Sequence, residues 1–340
     1  MKINMYDFDD TIYSGDSSID FIKYCYKKGY IKFKIILKIM GSFVKYFFGV
    51  IDITEFKEVL FSFLSNIDDG EKVVSEFWNE HYKNIKKFYL EKNHKNDIIN
   101  SASPYFLLKP ACEKLGIKDL IASDINIKNG KFKGKNNSKE VKVKNLNKKY
   151  KDCVVDECYS DNPFNDKYIL ELANKSYVVK GENLIDYKAY KPSFVKSLFR
   201  KLWDFYRNHL EVINYLFIGG CTTIISILSY ALFAKVCGLD LVVSNVLSWI
   251  VSVLFAYFTN RVIVFNSKNK NYFKEFISFT GSRVITLILD TLLMILFVKT
   301  LNMNDMIAKV IVQVVVIIGN YLISKLLVFK EYGVSLWKSL

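Results

Sequence analysis

Four apolar stretches beyond residue 210 constrain this chain more than anything else in it: 214–236, 241–259, 276–298 and 307–327. Each is close to the ~20 residues that a helix needs to cross a bilayer. Lipid offers no water to main-chain N–H and C=O groups, so stretches of this kind must be helices that satisfy their own hydrogen bonds. Part of the chain is therefore expected to be an all-α bundle of four transmembrane helices. The alternative, a buried bundle in a soluble protein, fits segments of this length poorly. The high apolar content, 51% with 16% aromatic, is concentrated in the same region.

A net charge of +14 points to an anionic partner, either nucleic acid or a membrane surface. The lysines and arginines border the apolar stretches, where anionic headgroups would meet them, and no nucleic-acid-binding signature accompanies them. Residues 191–210 form a basic, aromatic linker: Lys191, Lys196, Arg200, Lys201 and Arg207 alternate with Phe194, Phe199, Leu202, Trp203 and Tyr206. That mixture suits a helix lying in the headgroup zone. Basic residues on one side of the four segments include Arg261, Lys268, Lys270, Lys274, Lys325, Lys330 and Lys338, against Lys235, Lys299 and Lys309 on the other. By the positive-inside rule both termini are expected in the cytoplasm. No charged leader precedes the first motif, and six cysteines without metal-ligand spacing fit reduced thiols.

The membrane half repeats itself. Tyr257, Arg261, Val264 and Phe265 correspond to Tyr321, Lys325, Val328 and Phe329 at an offset of 64, and Phe217-Ile218-Gly219 resembles Phe279-Thr280-Gly281 at an offset of 62. Two helices per copy make this a parallel repeat of hairpins. Ionisable residues inside a span are costly unless they face a polar interior. Arg283 and Asp290 share one helical face, two turns or roughly 10 Å apart. Lys309, Gln313 and Asn320 share a similar face, so the two sets are expected to line one cleft. The plain alternative for Asp290 is a hydrogen bond that only locks helix packing.

The N-terminal half opens on a short strand, Ile3 to Tyr6, followed by Asp7-Phe8-Asp9-Asp10-Thr11. Two carboxylates two positions apart at a strand end allow Asp7 to attack phosphorus and Asp9 to exchange protons, both beside a Mg2+. An acidic turn that merely caps the next helix is the alternative. From about 14 to 95 the spacing is helical, with Phe21, Tyr24 and Cys25 on one face and Val74, Phe77, Trp78 and Tyr82 on another, which describes a cap. Within it, 31–50 is apolar between lysines, suited to touching a bilayer surface but too interrupted to span. A strand at 97–100 then runs into Ser101-Ala102-Ser103-Pro104, where a hydroxyl can bind a phosphoryl oxygen or cap the helix that follows. A strand at 120–123, a hairpin at 125–132 turning on Asn129-Gly130, and a helix carrying Lys142 come next. A last strand from Cys153 ends at Ser160-Asp161-Asn162, and Asp161 is placed to complete a Mg2+ site built from separate strand ends.

In this order the motifs resemble the haloacid dehalogenase superfamily of phosphohydrolases, in its branch similar to phosphoserine phosphatase. The resemblance covers residues 1 to about 185. It implies a Rossmann-like α/β parallel sheet with a helical cap and an aspartyl-phosphate intermediate on Asp7, with Asp9 as acid/base. It further implies Mg2+ held by Asp7, the Asp9 carbonyl and Asp161. Ser101 matches the phosphate-binding hydroxyl, with Thr11 and Ser103 as further substrate contacts. Lys142 matches the lysine that neutralises the phosphoryl group, and Lys139 is second choice. Asp166 fills the second acidic position of the last motif, one residue later than the family's spacing.

Residues 211 to 332 resemble the GtrA-like four-helix membrane proteins through Asn260-Arg261-Val262-Ile263-Val264-Phe265 and a looser copy, Ser324-Lys325-Leu326-Leu327-Val328-Phe329. That resemblance implies handling of a polyprenyl-phosphate-linked sugar or related lipid in cell-surface polysaccharide synthesis. Arg283 is then expected to meet the lipid phosphate and Asp290 to orient a sugar hydroxyl or a neighbouring Lys or Asn. The organisation read from the sequence is a phosphatase at 1–190, the linker at 191–210 and the membrane domain at 211–335. Its partners are a phosphorylated substrate and a membrane lipid or polyprenyl phosphate, without nucleic acid. Two further functions stay open: a flippase with a regulatory hydrolase domain, and a phosphatase merely anchored by four helices. A second copy or a glycosyltransferase is the kind of protein partner that fits.

Overall fold

The computed structural model describes residues 2–92, 94–151 and 153–329; the side chains of Asp305, Met306 and Lys309 fall outside that description. Expectations for Lys330 and Lys338, and for the side chain of Lys309, therefore lie outside the described residues. The chain divides into two compact units, Met1–Tyr46 with Ile51–Ser197, and Phe47–Val50 with Leu198–Leu340.

The first unit is α/β. Its strands are β1 (Lys2–Tyr6), β2 (Asp97–Pro104), β3 (Asp119–Ser123), β4 (Val154–Ser160), β5 (Lys175–Lys180) and β6 (Asn183–Asp186). Among the described residues they form one sheet in the order β3-β2-β1-β4-β5-β6. The pairs from β3 to β5 are parallel, and β6 returns antiparallel to β5. Strand order reverses between β1 and β4, the place where open α/β sheets hold ligands beyond their C-terminal ends.

Helices α1 (Ser17–Lys27), α2 (Phe33–Phe47), α3 (Ile53–Leu60), α4 (Gly70–His81) and the single turn α5 (Lys87–Leu90) make the cap between β1 and β2. Asp16, Asp52 and Asp69 cap α1, α3 and α4, and Asp52 forms a reciprocal capping box with Glu55. The faces read from the sequence are the ones buried: Phe21, Tyr24 and Cys25 from α1, and Val74, Phe77 and Trp78 from α4. They join Phe8, Tyr13, Leu107 and Leu108 in one cluster. Trp78 Nε1 donates to the Leu107 carbonyl at 2.6 Å, tying the cap to α6 (Tyr105–Lys114).

The expected hairpin at 125–132 forms around one antiparallel bridge between Ile125 and Phe132, with Asn126 N donating to the Lys131 carbonyl and Lys133 N to the Asp124 carbonyl, both at 2.8 Å. Its Asn129-Gly130 turn packs on the cap: Gly130 has φ +74°, and a Cβ there would lie 2.3 Å from the Phe61 carbonyl oxygen. Only glycine tolerates both that conformation and that approach. Next come α7 (Glu140–Lys149) and the single turn α8 (Lys167–Leu170).

Helix α9 (Phe194–Asn208) begins in the first unit and continues into the second from Leu198, and the second unit holds the helices α10 (Leu210–Ala231), α11 (Leu241–Thr259), α12 (Tyr272–Met294) and α13 (Asp305–Ile323). Each of α10 to α13 ends in a wider, π-helical turn. With those turns the described spans are Leu210–Val236, Leu241–Val264, Tyr272–Thr300 and Val310–Val328, all long and apolar enough to cross a membrane.

Candidate functional site

The C-terminal ends of β1, β2 and β4 meet at the strand-order reversal. Asp7 N donates to the Tyr159 carbonyl at 2.9 Å, which joins β1 to β4 just where both strands end. Beyond Asp7 the chain turns sharply: Asp10 has φ +52° and its main-chain N donates to the Gly15 carbonyl at 2.8 Å. The turn points Asp9 at the start of α1, where its Oδ1 accepts from Ser17 N at 2.7 Å.

Two pairs of side chains organise the site. Asp7 Oδ1 accepts from Lys142 Nζ at 3.0 Å, and Lys142 also reaches Asp166 Oδ1 at 2.8 Å. Asp9 Oδ2 accepts from Ser103 Oγ at 2.5 Å, and Ser103 Oγ is 2.7 Å from Ser18 Oγ in the cap. Lys142 is buried with its main chain fixed: Asn100 Nδ2 donates to its carbonyl, and Asn137 Nδ2 donates to Asn100 Oδ1. Lys139 is exposed, so the second choice for the neutralising lysine has no place here.

The remaining residues anticipated from the sequence hold the frame. Ser101 is buried and its Oγ accepts from Ser103 N at 3.1 Å, leaving Ser103 as the hydroxyl beside Asp9. Thr11 is buried and does not line the opening; its Oγ1 accepts from Asp161 N at 2.9 Å. Lys180 Nζ donates to the Asp161 carbonyl at 2.6 Å. Main-chain bonds thus position Asp161, and among the described residues no donor reaches its carboxylate. Asp166 is spent otherwise: besides Lys142, its Oδ2 accepts from Ser160 Oγ at 2.7 Å.

These carboxylates crowd one another. Burial pushes Asp7 well above the usual carboxylate range; Lys142 pulls it back, while Asp166, Asp9 and Asp161 push it further up. Burial, then Asp16, lifts Asp9 to about 6 against the hydrogen bonds from Ser103 and Ser17. Burial likewise raises Asp161 to about 6, with Lys180 opposing. For Lys142, burial opposes the charge but Asp166 and Asp7 outweigh it, so the ammonium stays protonated. A divalent cation offsets such an excess of negative charge, and the oxygen donors suit a hard ion. Among the described residues no three His, Cys, Asp or Glu side chains converge as a cage. Both carboxylate oxygens of Asp9 and of Asp166 are engaged, whereas among the described residues Asp7 is bonded through Oδ1 only and Asp161 through neither oxygen, so Asp7, Asp161 and main-chain oxygen are the donors that fit.

Lys57 escaped the sequence reading. It projects from α3, and its Nζ donates to the Ala102 carbonyl at 2.9 Å and to Asn136 Oδ1 at 2.7 Å. Burial lowers it to about 8, against the pull of Asp16 and Asp9. One lysine in a Lys-rich cap carries no sequence signal.

In the second unit, Arg261 pairs with Glu275, which also accepts from Ser267 Oγ at 2.8 Å and lies 3.4 Å from the Tyr257 hydroxyl. Lys325 pairs with Glu211 at 3.0 Å, and Tyr321 OH donates to Glu211 at 2.9 Å. Glu211 and Glu275, Tyr257 and Tyr321, and Arg261 and Lys325 are each 64 residues apart. Each copy's glutamate therefore meets the other copy's tyrosine and cation. Rings repeat the pattern: Tyr215 packs on Tyr321 and Phe265, and Phe279 packs on Tyr257 and Phe329. The contacts keep the offset of 64 throughout, so the offset of 62 at the segment starts is a local likeness of sequence only.

The polar intramembrane residues obey the repeat differently. Arg283 Nη2 lies 3.4 Å from Ser324 Oγ, and Thr286 Oγ1 is 2.9 Å from Asn320 Oδ1, so α12 meets the fourth span through polar contacts. Asp290 and Asn320 are half-buried, and Gln313, two turns before Asn320 on the same helix, is exposed. Copy one carries Gly219, Ser226 and Ala256 where copy two carries Arg283, Asp290 and Asn320. The polar set occurs once on a duplicated frame.

Fold and site together define a hydrolase unit of the haloacid dehalogenase type joined to a four-helix, multi-pass membrane unit. The chain belongs to the GtrA/DPMS transmembrane domain family, matched over residues 214–329, and its residues 5–163 match the haloacid dehalogenase-like hydrolases. The cell wall teichoic acid glycosylation protein GtcA of Listeria innocua is 40% identical over 141 residues, 41% of this chain and 97% of that protein. An uncharacterized membrane protein of Bacillus subtilis, YwcD, is 38% identical over 120 residues, 34% of this chain and 94% of that one. A solved phosphoserine phosphohydrolase-like protein from Francisella tularensis is 21% identical, with a TM-score of 0.34 over 52% of this chain and 86% of that one.

Proposed function

We propose that the hydrolase unit is a Mg2+-dependent phosphomonoesterase. In this reading Asp7 Oδ attacks phosphorus, the P–O bond to the leaving alcohol breaks, and Asp9 gives that alcohol its proton. Water then attacks the aspartyl phosphate, Asp9 takes a proton from it, and inorganic phosphate leaves with Asp7 restored. Lys142 holds Asp7 in place and faces the charge of the transferring group, while Ser103 keeps Asp9 aimed. Asp7, Asp161 and the Asp9 carbonyl would hold the Mg2+, which when bound supplies Lewis-acid neutralisation of the phosphoryl oxygens. The observation that carries the reading is the pairing of Asp7 with Lys142 beside the Asp9–Ser103 pair at the strand ends.

The membrane unit is proposed to handle a polyprenyl-phosphate-linked sugar or related lipid in cell-wall glycosylation, on the strength of the GtcA relatives and of the single polar set. Arg283 meets the lipid phosphate in this reading, and Asp290 orients a sugar hydroxyl. The phosphatase and both termini face the cytoplasm.

Full-length protein screened against soluble and polyprenyl phosphates is expected to release phosphate with Mg2+ and to stop with EDTA. Turnover should decline as pH rises past about 6, where Asp9 loses the proton it gives to the leaving alcohol, and further past about 8, where Lys57 loses its proton and the site a positive charge. Activity equally strong in EDTA would remove the cation from the mechanism. Orientation is checked in intact cells with an impermeant thiol reagent. The exposed native Cys237 should react from outside, and a cysteine introduced at Asn269 should not. The reverse pattern would invert the membrane unit.

A further inference from the structure

Helix α2 presents an apolar stripe that is largely unused; among the described residues only its last residue, Phe47, packs on other rings, those of Trp203 and Tyr206. Phe33, Leu37, Met40, Val44 and Phe47 recur at alternating spacings of four and three, which places them on one face. They are exposed by 72%, 52%, 60%, 50% and 39% respectively. The helix already has an inward face: Ile35 and Ile36 pack on the core cluster and Tyr46 stacks on Phe56, while Phe43 meets Phe56 edge-on and stays half exposed. The stripe is a second face, bordered by Lys34, Lys38 and Lys45, and α2 contains no acidic residue. Apolar stripes of this extent on a soluble surface mark an interaction site.

We infer that α2 is a membrane-docking helix, seated with its stripe in the headgroup–acyl boundary of an anionic bilayer. Charge favours this occupant, because the lysines along the stripe match anionic lipid phosphates and no carboxylate on the helix repels them. Chain continuity favours it too. Phe47, the last residue of α2, and Phe48 belong to the compact unit that holds the membrane helices, where Asn214 Nδ2 donates to the Phe48 carbonyl at 2.9 Å. The Phe48 ring lies 5.9 Å from Phe217 in the first span. Chain connectivity thus makes α2 continuous with residues that pack on the first membrane-crossing helix. Resting on the phosphatase reading, this makes the expected substrate an amphiphilic phosphate held in the same bilayer surface.

The test uses the full chain in nanodiscs of phosphatidylcholine and phosphatidylglycerol. Met40→Cys, with Cys153, Cys221 and Cys237 changed to Ser, carries an environment-sensitive dye, and Lys72→Cys on α4 is the reference. The dye at position 40 should emit blue-shifted light quenched by nitroxide lipids, and weaken when phosphatidylglycerol is omitted; at position 72 it should behave as in water. Water-like emission at both positions would overturn the inference. Blue emission that no lipid nitroxide quenches would also overturn it, because protein would then cover the stripe. In a second arm, Leu37→Ser with Val44→Ser should cut hydrolysis of bilayer-held hexadecyl phosphate about tenfold while sparing soluble p-nitrophenyl phosphate. Equal rates on both substrates would overturn the link to substrate. If the unaltered chain hydrolyses neither, the phosphatase reading fails and quenching alone decides docking.

Discussion

Asp7→Asn is expected to lower phosphate release by several orders of magnitude while the chain still folds and inserts. A neutral amide is a poor nucleophile and a weak ligand for a hard cation, yet it keeps the carboxylate's shape. Stability should hold or rise slightly. Lys142 retains Asp166 at 2.8 Å, and Asp7 itself is repelled by Asp166, Asp9 and Asp161. Asp9→Asn should cost about 10²–10⁴-fold, the usual reach of acid–base catalysis, and should leave phosphate binding intact. The measurements are steady-state turnover and thermal unfolding of the full chain in detergent. Near-normal hydrolysis by Asp7→Asn would sink the covalent route, whatever Asp9→Asn does.

The fold was legible wherever one residue type at one spacing has few structural uses. Spans of about 20 apolar residues have one solution in lipid, and Asp7-Phe8-Asp9 after a β-rich run has few. Lys142 was reachable only through its order among the motifs, since its own neighbourhood is Lys-rich; its burial between Asp7 and Asp166 is a tertiary fact. The resemblance puts Ser101 forward as the phosphate-binding hydroxyl, but both serines end the same strand, and the fold has Ser103 facing Asp9. The same resemblance makes Thr11 a substrate contact. Here the hydroxyl fixes the Asp161 loop instead. The 125–132 segment carries a good turn signal and forms its hairpin there, but that Gly130 docks against the Phe61 main chain is a tertiary fact.

The repeat yields the second large effect. Glu275 and Glu211 occupy equivalent positions and each meets a tyrosine and a cation from the other copy, so sequence alone ranks them equal. Burial does not. The Arg261–Glu275 side chains are 6% and 0% exposed, whereas Lys325 and Glu211 are 45% and 27% exposed. Glu275→Ala strands a buried guanidinium and takes acceptors from Ser267 and Tyr257, a loss expected to cost about 3–5 kcal/mol. Glu211→Ala leaves Lys325 free to turn to water, so about 0–1 kcal/mol is expected there. Replacing both members of the buried pair, Arg261→Met with Glu275→Leu, should recover much of the loss, because the penalty belongs to the unpaired charge rather than to the missing attraction. Loss of helicity on heating the full chain in detergent, followed by circular dichroism, gives the ranking. Equal destabilisation by Glu211→Ala and Glu275→Ala would mean that the two copies carry load alike and that burial does not separate them.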